Sequence, residues 1–144
     1  MNVVMNAGIK GVSNESADRV WRSYQRCLED FHFLQEFYLR FIEASPEVAQ
    51  KFANTDMDHQ VLMLRASLDL MLGGDRSASE PKALRQIAKL HSRSGVDVPA
   101  RLYDCWLESL LLTVARFDPG FDDELEQAWR SELEQGIAYM KAAY

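Results

Sequence analysis

The chain holds three histidines, His32, His59 and His91. No two of them sit three or four positions apart, and no Cys/His cluster or HExxH pattern exists, so a protein-only zinc site is not expected. Nucleotide and nucleophile signatures are also missing: there is no P-loop, GxGxxG or GxSxG. His91 stands out by position. It falls where the helical stripe begun by Leu84 and Ile87 calls for another apolar residue. A histidine on an apolar face is usually a hydrogen-bonded core residue, but a neutral imidazole there is also a metal ligand. Tyr38 poses a similar question, because a phenol on a buried helix face needs a partner for its hydroxyl. Gln60 borders the apolar stripe of Met57, Val61 and Leu64 and reads by itself as a boundary polar residue.

The rest of the composition restricts what these residues can serve. The 144 residues carry a formal charge of −6, which speaks against nucleic acid or an anionic membrane as partner, since both demand a basic face. Seven glycines and four prolines fall short of the roughly 12% of average sequence, which favours long helices over a turn-rich β fold. Cys27 and Cys105 are too few for a disulfide framework and both lie in apolar helical patterns, so two buried free thiols are expected. No apolar run approaches the roughly 18 residues of a membrane span, and the first dozen residues lack the basic start and apolar core of a signal peptide. A cytoplasmic location is the expectation.

Helices must position the candidates. Residues 1–13 read as irregular, and residues 1–14 as an extension of a single domain over 15–144. From Ser16 the pattern turns helical, with Val20, Trp21, Tyr24, Cys27 and Leu28 on one side. A second helix is expected from Phe31 to Ala44, burying Leu34, Phe37, Tyr38, Phe41 and Ile42. Ser45-Pro46-Glu47 restarts a short helix that carries Val48 and Phe52, with serine as N-cap and proline at the first position. Thr55-Asp56 opens a helix striped by Met57, Val61, Leu64, Leu68 and Met71, and Gly73-Gly74 closes it. Pro81 to Gly95 forms the helix of His91. Pro99 starts one bearing Leu102, Tyr103, Trp106, Leu110, Val114 and Phe117. Asp118-Pro119-Gly120 is a turn, and Asp122-Asp123 opens the last helix, with Leu125, Trp129, Leu133, Ile137 and Met140. The sum is an all-α globule of six long helices and a short one, with no lasting heptad.

Three ordered segments then resemble the globins. FYLRFIEASPEVAQKF at 37–52 is similar to the globin pattern FYxxFxxxxPEVxxxF. IAKLHSRSGV at 87–96 resembles the stretch around the haem-binding histidine, and DDELEQAWRSELEQGIAYM at 122–140 resembles the last helix of bacterial globins. The resemblance spans residues 16–141 and points to bacterial single-domain globins and the globin part of flavohaemoglobins. It implies a globin fold around a pocket for haem b (iron protoporphyrin IX), with His91 as the proximal iron ligand. Phe52 aligns with the phenylalanine that packs on the haem face. Tyr38 and Gln60 align with distal hydrogen-bond donors, and Leu64 with the apolar residue over the iron. Ile87, Val96 and Tyr103 complete the cofactor-binding residues. A slip of one residue would put His59 in the distal position, at the cost of the Leu64 and Leu68 matches. Arg85, Lys89 and Arg93 are candidate propionate partners.

The resemblance also implies reversible binding of oxygen, carbon monoxide or nitric oxide. A charge-assisted hydrogen bond to an oxygen ligand is worth about 1.5–3 kcal/mol, enough to slow its loss by roughly 10- to 100-fold. The alternatives are a nitric oxide dioxygenase served by an external reductase, and a haem-free signalling module. The segment from Gly95 to Tyr103 is a little longer than in flavohaemoglobins. The glutamate of their proximal network has no clear counterpart, ungapped counting from Trp129 placing Tyr144 there, and a flavin reductase domain is not expected with this chain. Tyr103 is therefore expected to lack its partner and His91 to behave as an ordinary neutral imidazole. No nucleic-acid or membrane partner is expected, and the chain is expected to be a monomer or homodimer.

Overall fold

A computed structural model describes residues 2–73 and 98–142, with side chains from residue 15 onward. Among these residues the elements are all helical: α1 (Asn2–Leu28), α2 (Phe33–Ala44), α3 (Pro46–Lys51), α4 (Met57–Leu72), α5 (Ala100–Phe117) and α6 (Asp123–Ala142). The expected helix between Pro81 and Gly95 lies outside the described residues.

The local end signals act as their chemistry dictates. The Ser45 hydroxyl accepts the Val48 N–H at 3.5 Å behind Pro46, and the Asp56 carboxylate accepts the His59 N–H at 3.3 Å. The Asp122 carboxylate accepts the Leu125 N–H at 2.8 Å, and Gly73 closes α4 by donating to the Asp69 carbonyl at 3.1 Å. Two expectations fail. The stretch 1–13 is not irregular: α1 is helical from Asn2 to Leu28. It holds no proline, and extending an existing helix gains one hydrogen bond per residue fixed, which offsets the cost of Gly8 and Gly11. α2 begins at Phe33 and not at Phe31, because the Asp30 carboxylate accepts the His32 N–H at 2.9 Å and holds the chain in a turn.

The core runs between α1, α2, α5 and α6. Val20, Tyr24, Phe33, Phe37, Leu110, Val114, Trp129 and Leu133 are all fully buried. α2 lies on α5 through ring pairs: Phe33 meets Phe117 at 5.7 Å and Phe37 meets Trp106 at 6.0 Å, both edge to face. α4 differs from its sequence pattern. Its buried line is Leu64, Leu68 and Leu72, while Met57, Val61 and Met71 are only half-buried against the core. α4 carries two adjacent apolar rows, and the roll of the helix chooses between them. Cys27 is buried as expected, but Cys105 is only half-buried.

Candidate functional site

Tyr38 is the centre of the described candidates. It projects from α2 into the core, 5% exposed, with its ring edge-on to Phe37 at 5.0 Å and to Phe52 at 5.5 Å. The short α3 places Phe52: its N–H closes the helix on the Val48 carbonyl at 3.2 Å, and its ring meets Phe41 at 6.0 Å as well. The Tyr38 hydroxyl crosses to α4 and donates to the Gln60 carbonyl at 3.4 Å, near the limit of a hydrogen bond. Burial pushes the Tyr38 phenol up to about 12, while its interaction with the Gln60 side chain works in the opposite direction. At neutral pH the phenol therefore keeps its proton and is a donor.

Gln60 itself is half-buried in the first turn of α4, and Leu64 follows one turn later, 6% exposed. His59 is exposed beside it. Tyr103 lies buried on α5. Burial pushes its phenol up to about 12, and its hydroxyl has no hydrogen-bond partner among the described residues. Tyr38 is thus joined to Phe52 by ring contact and to Gln60 by its hydroxyl, with Leu64 one turn beyond Gln60 on α4. Ile87, His91 and Val96, together with Arg85, Lys89, Arg93 and Tyr144, lie outside the described residues. No group of three or more His, Cys, Asp or Glu side chains that could hold a metal exists among the described residues. None of their helices is long and apolar enough to cross a membrane.

Two constellations escape a reading of the sequence. Asp118, expected only as a turn residue, is a buried carboxylate. Ser23 donates to it at 2.6 Å, Arg26 at 2.7 and 2.9 Å, and the Gly120 N–H at 2.9 Å, while the Trp129 indole donates to Ser23 at 3.0 Å. Burial raises the Asp118 carboxyl, but the hydrogen bonds from Arg26, Ser23 and Gly120 outweigh it and hold the group below the usual carboxylate range. The second is Tyr24, whose hydroxyl donates to Asp69 of α4 at 2.8 Å. The only hint in the sequence is a tyrosine in an apolar stripe.

No family model and no curated protein matches the chain. Among solved structures, it is similar to a protein from Pseudomonas aeruginosa PAO1 described as structurally highly homologous to a human haemoglobin. The two are 39% identical, the match covers 90% of this chain and 98% of that one, and the TM-score is 0.82. With that identity running through nearly the whole of both chains, and with an all-α core, the chain belongs to the bacterial single-domain globins.

Proposed function

We propose that the chain binds haem b through His91 and uses it to hold oxygen, or another diatomic gas, reversibly. The observation that supports this is the Tyr38 hydroxyl: buried, protonated, and held among the described residues by a long 3.4 Å bond to the Gln60 carbonyl and by its interaction with the Gln60 side chain. A phenol placed for stability alone would be expected to make a shorter bond. This one is exchanged at little cost for a better acceptor within the cleft. The described residues fit the cofactor. Phe52 offers a flat, half-buried ring beside Tyr38, and Leu64, one turn after Gln60 on α4, adds buried apolar surface.

Haem would supply an iron centre able to take a diatomic ligand. The chain's own residues do the rest. Phe52 and Leu64 pack on the cofactor and exclude water, as Ile87, Val96 and Tyr103 do in this reading. Tyr38 donates its hydroxyl proton in a hydrogen bond to the ligand, and Gln60 orients that hydroxyl and can add a second donor. His91, held as a neutral imidazole, supplies the protein ligand.

The test is an absorption spectrum of the purified chain reconstituted with haem, beside that of His91→Ala. The expected result is one haem per chain, with a ferrous carbon monoxide spectrum that changes in the variant. Absence of haem uptake, or identical spectra for both proteins, would overturn the proposal.

A further inference from the structure

α4 carries Gln60 and Leu64, so the seat of this helix decides where the distal side chains are held. Two hydroxyls fix it, each from a different helix. In the first turn, Tyr38 of α2 reaches the Gln60 carbonyl at 3.4 Å. In the fourth turn, Tyr24 of α1 donates to Asp69 Oδ1 at 2.8 Å, with the Arg65 carbonyl at 3.5 Å as a further acceptor. Tyr24 cannot easily move: it is fully buried, its ring edge-on to Trp129 at 6.5 Å and tilted on Trp21 at 5.6 Å. Trp21 also closes the end of α4, since a Cβ on Gly73 would stand 2.6 Å from its ring. Leu68 and Leu72 are buried in the same two turns, whereas Leu62 and Met63, nearer the start, are exposed. Among the described residues, α4 is thus seated at its C-terminal end by Tyr24, Trp21, Leu68 and Leu72, and toward its N-terminal end by Leu64, the half-buried Met57 and Val61, and the long Tyr38 bond.

We infer that Tyr24, acting through Asp69, is a positioning residue for the distal side: the bond between them sets the tilt of α4 and thereby the placing of Gln60 and Leu64. Gln60 and Asp69 are about 14 Å apart along the helix, at about 1.5 Å per residue. A helix transmits a tilt over that length, so releasing Asp69 shifts the first turn, which among the described residues is held by the weak Tyr38 bond and by the half-buried packing of Met57 and Val61. The inference rests on the reading of this pocket as a gas-binding haem site.

The experiment compares Tyr24→Phe, Asp69→Ala, the double variant and Asp69→Asn in the full chain. Oxygen release is measured with haem bound, and amide hydrogen exchange of α4, α5 and α6 is measured on the same chains without haem. Tyr24→Phe keeps the buried ring, and Asp69 is exposed, so the variants are expected to fold. Tyr24→Phe and Asp69→Ala should each speed oxygen release and α4 exchange by roughly three- to tenfold, with no further gain in the double variant. Asp69→Asn keeps an acceptor oxygen and should restore both readouts. Equal rises of exchange in all three helices with unchanged oxygen release would reduce the contact to general stability and overturn the inference. So would an α4 that ignores Asp69→Ala. If the parent chain takes up no haem, the gas-binding reading fails, and α4 exchange alone then decides the tether.

Discussion

Tyr38 shows how burial tunes a side chain for a task. Removed from water, with its phenol pushed up to about 12, it holds its proton across the physiological range and stays available as a donor. Tyr38→Phe removes that donor and little else, since the ring contacts with Phe37 and Phe52 remain. Oxygen release from the haem-loaded protein should then quicken by roughly tenfold, and carbon monoxide release should change less, because the latter carries less charge. Equal effects on both gases, measured by ligand-replacement kinetics, would point to a steric role. Asp118 shows the opposite use, a charge retained in the core for cohesion. Its carboxyl is held below the unfolded value of about 3.9. It thus contributes stability that is present in full above that value and lost as pH falls through the depressed folded value. Asp118→Asn should lower stability at neutral pH by roughly 1–2 kcal/mol, because Arg26 and Ser23 lose their charged acceptor while the partly exposed Arg26 stays hydrated. It should also flatten the acid limb of stability against pH, as followed by urea unfolding.

At the scale of elements, the ends and the faces of the helices obey different rules. Ser45, Asp56 and Asp122 each cap a helix with a side chain that reaches the backbone N–H three residues on. Such bonds need no distant partner, so these boundaries were legible in the sequence. Ser45→Ala should cost only about 0.5 kcal/mol in thermal unfolding, the low end for an N-cap, because the bond is 3.5 Å long. The contact of α4 with α1 was not legible. Gly73 has an extended backbone that any residue can adopt, and only the Trp21 ring makes glycine necessary there. Gly73→Ala should therefore destabilise by about 1–3 kcal/mol through overpacking, in equilibrium denaturation. Trp21→Leu in that background should recover part of the loss by clearing the ring.

For the whole molecule, the all-α class and most helix bounds came from the sequence pattern, while the globin order and the candidates Tyr38, Phe52, Gln60 and Leu64 came from the resemblance of three ordered segments. The reason is physical: helix periodicity, caps and breakers act within a turn or two, where chain order is also spatial order. The tertiary structure decided what depends on segments far apart in the chain. It put Ser23, Arg26, Asp118 and Trp129 into one buried network, although no pattern in the sequence joins them. It placed the Tyr24 hydroxyl on Asp69 and the Tyr38 hydroxyl on the Gln60 carbonyl. It also chose Leu64, Leu68 and Leu72 over Met57, Val61 and Met71 as the buried row of α4. Each of these lies beyond the sequence pattern because a helix fixes its own apolar stripes but not its roll or tilt. Those are set only when the neighbouring helices close on it and every buried polar group must find its partner.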